Sequence, residues 1–260
     1  MMSASEQSAA TAPTAATNLV PHPVLTEYYH EESARRAFLD QLFDRTSRDY
    51  DRIEWLIGFG SGPKYRYQAL LRAGLTAGMR VVDVGIGTGL VARQAVKIVG
   101  DGALVTGVDP SAGMMSQARL PSGVKLLTGK GESIPLPDRD ADFLSMGFAL
   151  RHLSSLDAAF AEFFRVLGPG GRVCVLEVTR APGPISNALL KAYMKYVVPT
   201  MARLVTRDPE TVRIWRYYWD TIEACVAPEV VLQALRNAGF ADVRLHVEVG
   251  IFSEYQATKP

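Results

Sequence analysis

Residues 81–90 read Val-Val-Asp-Val-Gly-Ile-Gly-Thr-Gly-Leu, and this stretch decides the fold class. Its β-branched start predicts a buried strand, and its glycines predict a sharp turn into a helix. Glycines at such a turn allow a ligand to approach the main-chain N–H groups at the start of the helix. The stretch therefore predicts a nucleotide-type ligand beside Gly85, Gly87 and Gly89, at the first strand of a sheet.

The alternation of strand and helix continues beyond this turn. Such alternation is typical of a parallel sheet with helices on both faces. The strands are predicted at residues 80–86, 103–109, 124–130, 141–150, 172–178, 242–249 and 252–258, and the intervening helices at 90–100, 111–119, 156–167 and 228–240.

The chain is expected to form one domain over residues 23–260. Residues 1–22 are rich in Ala, Ser and Thr and offer few side chains to bury, so they are expected to be a disordered tail. Helices are predicted within residues 31–75. Residues 180–227 contain no clear strand, and a helical insertion of this length usually covers a site.

Composition excludes several classes of function. The net charge is +1, so no overall electrostatic field attracts nucleic acid. The four histidines lack metal-ligand spacing, and Cys174 and Cys225 stand far apart, so we expect neither a metal centre nor a disulfide framework. This cysteine usage suits a reducing, cytoplasmic compartment. No apolar run is long enough to predict a transmembrane helix.

The type of ligand follows from the residues around the turn. Asp109 ends the second predicted strand twenty residues after Gly89, where a carboxylate can accept hydrogen bonds from a ribose diol. Leu90 stands where a dinucleotide fingerprint prefers Gly or Ala, and Asp83 is an acid poorly suited to a pyrophosphate. S-adenosylmethionine, which carries a sulfonium and no phosphate, fits better. A nicotinamide-dependent oxidoreductase stays open as an alternative.

From about Phe43 to its C-terminus, the sequence resembles the ubiquinone/menaquinone C-methyltransferase family of class I S-adenosylmethionine-dependent methyltransferases. Phe43-Asp44 and Tyr50-Asp51 resemble the family's FDxxxxxYD. Residues 148–178, FALRHLSSLDAAFAEFFRVLGPGGRVCVLEV, resemble its FGxRN and RVLKPGGxxxxLEF. The resemblance implies an α/β fold: a Rossmann-like, seven-stranded, mostly parallel sheet with a helical lid insertion.

The resemblance also implies S-adenosyl-L-methionine as the cofactor and assigns residues to it. Gly147 would lie beneath the cofactor, Tyr50 would close over its methionine end, and Gly131 would offer a backbone N–H to adenine. Glu132 would reach the ribose or adenine, with capping of the next turn as the alternative. The full set of expected cofactor-binding residues is Tyr50, Asp83, Gly85, Gly87, Gly89, Asp109, Lys130, Gly131, Glu132 and Gly147.

Arg151 and His152 follow the fourth predicted strand, at the edge where open α/β sheets bind ligands. An arginine there can stabilise a phenolate by charge-assisted hydrogen bonds. A histidine has an intrinsic pKa suited to accepting a proton near neutrality. Both are expected to be catalytic, with an ion pair for Arg151 and packing for His152 as the structural alternatives.

The inserted segment carries the remaining candidates. Tyr217 and Tyr218 are expected to stack on a planar acceptor, with simple packing as the alternative. Lys191 and Lys195 share a helical face, which indicates either a solvated lid or peripheral contact with an anionic membrane.

We expect methyl transfer to a ring carbon of a quinol-like or phenolic small molecule. His152 stands where the related family has Asn, and this departure favours N- or O-methylation of a heteroaromatic or phenolic natural product as the alternative. Lys130 lies in the adenine motif, where its ammonium cannot accept protons from the adenine amino group. A non-catalytic cofactor-binding protein is therefore a further alternative. The sequence leaves the oligomeric state open.

Overall fold

The computed structural model describes residues 18–207 and 209–260 of the 260-residue chain. One seven-stranded sheet has the order β3-β2-β1-β4-β5-β7-β6. Strands β1 to β5 are parallel, and β7 runs antiparallel between β5 and β6. The mostly parallel sheet is therefore confirmed. Its strands are β1 Val81–Val84, β2 Val105–Asp109, β3 Lys125–Thr128, β4 Ala141–Gly147, β5 Leu167–Val178, β6 Ala241–Glu248 and β7 Phe252–Thr258.

Helices cover both faces of the sheet because successive strand residues point to opposite sides. In β1, Val81 packs in the apolar cluster formed with α2 and α3, whereas Val82 packs in the cluster formed with α5 and α9. The nine α-helices of the described chain are α1 Glu32–Ile57, α2 Gly62–Arg72, α3 Ala92–Val99, α4 Ala112–Ser116, α5 Leu156–Val166, α6 Pro184–Ala192, α7 Val198–Thr206, α8 Pro209–Ala224 and α9 Pro228–Asn237.

The boundaries of three helices follow from local chemistry. Ser111 accepts a hydrogen bond from Met114 N at 3.0 Å and begins α4, and Ser155 caps α5 through Ala158 N at 3.2 Å. Gly100 ends α3 with φ +90°, a conformation that glycine adopts without steric cost. These caps fix where each helix begins or ends relative to the strands.

A third apolar cluster forms a helical cap beside the sheet. It joins α1 to α7, α8 and the π-helical turn Tyr193–Val197 that links α6 to α7. Trp219 and Val198 are fully buried in this cluster. Within the described residues between β5 and α9, the chain forms α6, the π-helical turn, α7 and α8. No helix within the described ranges is long and apolar enough to cross a membrane.

Strand β4 is shorter than the sequence predicts. It ends at Gly147 instead of residue 150, because Phe148 takes φ +60° and leaves the strand direction. Leu150–His152 then form one turn of 3-10 helix. Arg151 and His152 therefore lie on a turn beyond the strand, and this turn decides which way their side chains point.

The expected disordered tail falls outside the described residues as far as residue 17. From Leu19 onward the chain is packed: Leu156 N donates to Leu19 O at 2.8 Å, and Leu19 N donates to Asp157 Oδ2 at 3.2 Å. His22 is buried. The packed domain therefore begins a few residues earlier than residue 23.

Candidate active site

A deep cavity lies at the carboxyl ends of β1, β2 and β4, with α1 and α8 over it. The cavity contains about 1170 Å³ of empty space, including the part that is open to solvent. Strand β1 neighbours β2 on one side and β4 on the other, and open α/β sheets bind ligands at such a switch point. Of the expected site residues, the wall contains Tyr50, Gly85, Gly87, Asp109, Lys130, Gly131, Glu132, Gly147, His152 and Tyr218.

The glycine turn forms part of the cavity wall and requires its glycines. Gly85 has φ +68°, and a Cβ there would lie 2.7 Å from the Ala149 Cβ. Gly87 has φ +53°, so a side chain would be strained there. The bare backbone leaves main-chain groups accessible to a ligand, which is the role that the sequence predicts for this turn.

Asp109 lies on the cavity wall at the end of β2 and holds the glycine turn in place. Its two carboxylate oxygens accept hydrogen bonds from Gly87 N and Ser111 N, each at 2.8 Å. Burial raises the pKa of Asp109, and the two N–H donors act against that shift. Each oxygen keeps a second lone pair that a ribose hydroxyl can use.

Asp83 and Gly89 were expected at the cofactor and do not line the cavity. Asp83 is buried beneath the turn, where Ser145 donates a hydrogen bond to it at 2.7 Å. Burial raises the pKa of Asp83 to about 7. Asp83 through its side chain and Gly89 through its backbone therefore contribute to the shape of the turn, because both residues are buried in the protein interior.

The segment after β3 forms another part of the wall. Lys130 is exposed, and its backbone pairs with Ser133 through hydrogen bonds of 3.3 and 3.1 Å. Gly131 is buried, and a Cβ there would lie 2.6 Å from Leu153. Glu132 accepts a hydrogen bond from the backbone N of Ser154, which ties this segment to the turn after β4. Glu132 therefore contacts a distant segment, not the turn that directly follows it, and it remains on the cavity wall.

Gly147 and Tyr50 lie on the wall from opposite sides. A Cβ at Gly147 would lie 2.4 Å from Val91, so only glycine fits between β4 and the start of α3. Tyr50 projects from α1, stacks on Trp215 at 6.1 Å and lies 3.2 Å, oxygen to oxygen, from the Tyr218 hydroxyl. Burial raises the pKa of Tyr50, which keeps its hydroxyl protonated.

His152 lies on the cavity wall among aromatic rings, and both of its ring nitrogens are buried. Its ring lies edge-on to Phe43 at 5.2 Å and stacks on Tyr217 at 5.8 Å. Within residues 18–207 and 209–260, neither ring nitrogen has a hydrogen-bond partner. Burial lowers the pKa of His152 well below its usual value, and the charges of Arg151 and Arg35 lower it further. The imidazole is therefore neutral near pH 7, and one of its ring nitrogens can accept a hydrogen bond.

Arg151 does not line the cavity, contrary to the expectation that it faces the acceptor. It is 2% exposed, forms an ion pair with Glu177, and donates from Nε to Thr221 at 3.2 Å. Its guanidinium lies 5.5 Å from the Tyr218 ring centroid. The acid on β5 and the 3-10 turn direct the side chain into the protein, so the ion-pair alternative describes its position.

The two expected substrate tyrosines point in different directions from α8. Tyr218 lines the cavity, whereas Tyr217 is fully buried behind it. Tyr217 lies against Tyr28 at 5.1 Å and Phe38 at 5.3 Å, with ring planes at steep angles. Tyr217 therefore packs against His152, and of these two tyrosines only Tyr218 lies on the cavity wall.

Two acids that the sequence gave no role attach α1 to the site. Asp44 accepts from Ser111 Oγ at 2.6 Å and from Gly113 N at 3.0 Å. Asp51 accepts from the Thr88 hydroxyl in the glycine turn and from Arg93 at 3.0 Å. Their spacing of seven residues, two helical turns, was the available signal because it puts both on one face of α1.

One group of metal-ligand side chains lies on β6 and β7. Within the described ranges, His246, Glu248 and Glu254 bring ligand atoms within 4.8 Å of one another. Arg72 already contacts both carboxylates, at 2.6 Å from Glu248 and 2.5 Å from Glu254. The guanidinium supplies the positive charge that these acids need.

The sequence profile described as the ubiE/COQ5 methyltransferase family matches residues 30–259. The chain belongs to this family. It is 30% identical over 221 residues to the demethylmenaquinone methyltransferase of Corynebacterium kroppenstedtii, covering 85% of this chain and 93% of that protein. It is 30% identical over 240 residues to the ubiquinone/menaquinone biosynthesis C-methyltransferase UbiE of Pseudomonas aeruginosa, covering 88% and 91%.

Solved structures share the fold of this family member. A S-adenosylmethionine-dependent methyltransferase from Thermotoga maritima, described as a possible histamine N-methyltransferase, matches with a TM-score of 0.59 at 24% identity, over 85% of this chain and 99% of that chain. Phosphoethanolamine N-methyltransferase 2 of Haemonchus contortus, in complex with S-adenosyl-L-methionine, matches with a TM-score of 0.62 at 18% identity, over 87% and 60%.

The ubiE/COQ5 chain is thus an S-adenosyl-L-methionine-dependent methyltransferase with the class I fold. This confirms the expected cofactor and enzyme class, and it sets aside the nicotinamide-dependent and non-catalytic alternatives. The cavity fits the cofactor: a side-chain-free turn at Gly85 and Gly87 and the Asp109 carboxylate share one wall. The family implies a small-molecule methyl acceptor.

Proposed function

We propose that this enzyme methylates a ring carbon of a quinol-like or phenolic small molecule. The observation that carries the proposal is His152, a neutral imidazole on the cavity wall whose two ring nitrogens lack partners within the described ranges. The names of the two relatives, a demethylmenaquinone methyltransferase and a C-methyltransferase, support the same acceptor class.

The cofactor supplies a methyl group on a positively charged sulfur. The chain must bring an electron-rich carbon into line with it and exclude water. A phenolic hydroxyl has a pKa of about 10, so its proton must be removed to increase the electron density of the ortho carbon. His152 accepts that proton. The ring carbon would form the new bond to the methyl group, and the electron pair of the broken carbon–sulfur bond would stay on sulfur. The methylated ring carbon then releases its proton to solvent, and His152 returns its proton to the ring oxygen.

The aromatic side chains hold the acceptor in the proposed reaction. Phe43 and Tyr218 line the cavity beside His152, and a planar acceptor lying against these two rings would be oriented by aromatic contacts. Glycines 85, 87 and 131, with Asp109, Lys130, Glu132, Gly147 and Tyr50, are proposed to surround the cofactor.

Arg151 is proposed as a positioning residue. Its contacts with Glu177 and Thr221 fix the turn that presents His152. Its charge also lowers the pKa of the neighbouring imidazole, so the His152 ring is neutral before the acceptor binds.

O-methylation is the second candidate product. The same imidazole would deprotonate a hydroxyl whose oxygen could take the methyl group in place of carbon. Methyl-labelled S-adenosyl-L-methionine, incubated with a reduced naphthoquinone and a set of phenols and followed by NMR of the product, distinguishes a C-methyl, an O-methyl and an N-methyl group. A labelled C-methyl is expected; an O-methyl or N-methyl product would replace the proposal.

His152→Ala tests the base. Because a positioned general base contributes roughly 10²- to 10⁴-fold, we expect kcat to fall by at least about 100-fold. The affinity for S-adenosylhomocysteine, measured by calorimetry, should stay within about threefold of wild type, since a mechanism residue should cost more in turnover than in binding. His152→Gln is the matched variant, which keeps hydrogen-bonding capacity but cannot take a proton. Unchanged turnover in both variants would remove His152 from the mechanism.

A further inference from the structure

We propose that the outer face of the segment from α6 to α7 docks on the surface of a bilayer that contains anionic lipids. This docking face consists of Ile185, Leu189, Tyr196, Val197 and Leu204. The proposal does not depend on the acceptor, because lipid binding can be measured without methyl transfer.

The docking face is apolar and exposed. Ile185 is 76% exposed, Leu189 67%, Tyr196 66% and Leu204 75%, and α6 buries none of its residues. Ile185 and Leu189 are four residues apart in α6, and Val197 and Leu204 are seven apart along α7, close to whole helical turns, so each pair lies on one face of its helix. The opposite side of the segment is buried in the helical cap through Val198 and Ala202. Large exposed apolar side chains on the outside of a packed segment indicate a contact surface.

Two neighbouring loops extend this surface. The Tyr193 hydroxyl donates to Ile57 O at 2.9 Å, which brings the loop with Phe59, 82% exposed, beside the segment. Gly250 lies against Pro182 just before α6, with 3.5 Å between the Pro182 Cδ and a Cβ built at Gly250, and Val249 next to it is 80% exposed. Apolar side chains therefore continue beyond both ends of α6.

The charged side chains around the docking face favour an anionic partner. Residues 180–207 contain no Asp or Glu and five cations. Lys191 and Lys195 contact Glu223 and Asp220 on α8, on the side facing the cap. The exposed cations are Arg180, Arg203 and Arg207.

An apolar helix surface flanked by cations is the pattern of a helix lying in a lipid interface, where basic side chains meet anionic headgroups. A two-fold contact with a second copy would bring together two faces that both carry positive charge and no acid, which like-charge repulsion opposes. The anionic bilayer is therefore the occupant that we propose.

The test is co-sedimentation of the full chain with two kinds of vesicle. One kind contains phosphatidylcholine alone, and the other contains phosphatidylcholine with roughly 30 to 40% phosphatidylglycerol. We expect binding to the anionic vesicles to exceed binding to neutral ones by about tenfold or more and to fall as salt is raised. Leu189→Asp should weaken binding about tenfold. Arg203→Gln should weaken it about fivefold, since one cation near the surface contributes about that factor.

Leu126→Asp and Arg236→Gln are the matched controls, because both change exposed positions away from the docking face. They should bind vesicles like the wild type. Equal binding of neutral and anionic vesicles, or loss of binding in the controls as well, would overturn the proposal. So would a dimer in sedimentation velocity that Leu189→Asp dissociates while vesicle binding is absent, since the face would then join two copies.

Discussion

At the scale of single residues, His22 shows how burial controls protonation behind the cavity. Its Nδ1 lies 2.7 Å from Pro23 O, and its Nε2 lies 3.0 Å from Arg35 Nη2. A neutral ring with its proton on Nδ1 donates the first hydrogen bond and accepts the second. Burial, followed by the charge of Arg35, lowers the pKa of His22 to about 4.

This shift predicts a loss of stability in weak acid. The unfolded chain binds the His22 proton near pH 6.5, whereas the folded chain binds it only near pH 4, so the free energy of unfolding falls as pH drops through this window. The full contribution is about 3 kcal/mol. Urea unfolding at pH 7 and pH 4.5 measures it, and His22→Gln should lose clearly less stability than wild type between the two. Equal losses would show that His22 is not the cause.

The buried pair of Arg151 and Glu177 gives a second prediction at this scale. Arg151→Met leaves the Glu177 carboxylate buried without its counter-charge, so the free energy of unfolding should fall by about 3–5 kcal/mol. The double variant Arg151→Met/Glu177→Leu should recover most of that loss. Denaturant unfolding checks both. If Arg151→Met kept its stability but lost acceptor affinity, the guanidinium would contact the acceptor instead of Glu177.

At the scale of elements, α1 is attached to the sheet mainly through its acids and its apolar face. Asp44 binds the start of α4, and Asp51 binds the glycine turn and α3. Tyr50 lies between these two acids and Phe43 directly precedes Asp44, and both aromatic side chains line the cavity. The two acids therefore help to hold the cavity-lining part of α1 against the sheet.

Asp51→Asn tests this attachment. The amide keeps the shape of the side chain but loses the charge that faces Arg93, so the turn and α1 should separate more readily. We expect the Kd for S-adenosylhomocysteine, measured by calorimetry, to rise about tenfold, with a smaller change in the melting temperature. Asp49→Asn on the same helix is the control and should leave the Kd unchanged. An unchanged Kd in Asp51→Asn would mean that the attachment does not affect cofactor binding.

At the scale of the whole molecule, the sheet and the helical cap enclose the cavity between them. Any ligand held there joins the glycine turn to α1 and α8, so it should stabilise the entire fold. S-adenosylhomocysteine at about 100 times its Kd should add about 2.7 kcal/mol to the free energy of unfolding and raise the melting temperature by roughly 5–10 °C. Thermal denaturation with and without ligand measures this. NAD at the same concentration is the control, and an equal shift with NAD would contradict the cofactor assignment.

Much of the fold could be predicted from the sequence because its signals are local. The β-branched run at residues 81–84, the glycine turn and the capping serines each act within a few residues, and the strands and helices formed close to where they were predicted. Two strand boundaries were missed. Strand β4 ends at Gly147 instead of residue 150, because the positive φ of Phe148 has no sequence signal in an apolar run, and β5 begins at Leu167 instead of residue 172. Among the predicted site residues, the glycines and Asp109 that directly follow or end strands lie on the cavity wall. Asp83 and Gly89 do not line the cavity.

By itself, the sequence determined the α/β architecture, the glycine turn beside Asp109 and the likeness to the ubiE/COQ5 family, because each depends on residues near in sequence. Only the tertiary structure decided the directions of side chains whose partners are distant in sequence. The ion pair with Glu177 on β5 holds Arg151 in the interior, whereas the Tyr217 ring packs against His152 at the cavity. The cost of burying an unpaired charge settles such choices, and that cost depends on neighbours that only the folded chain brings together.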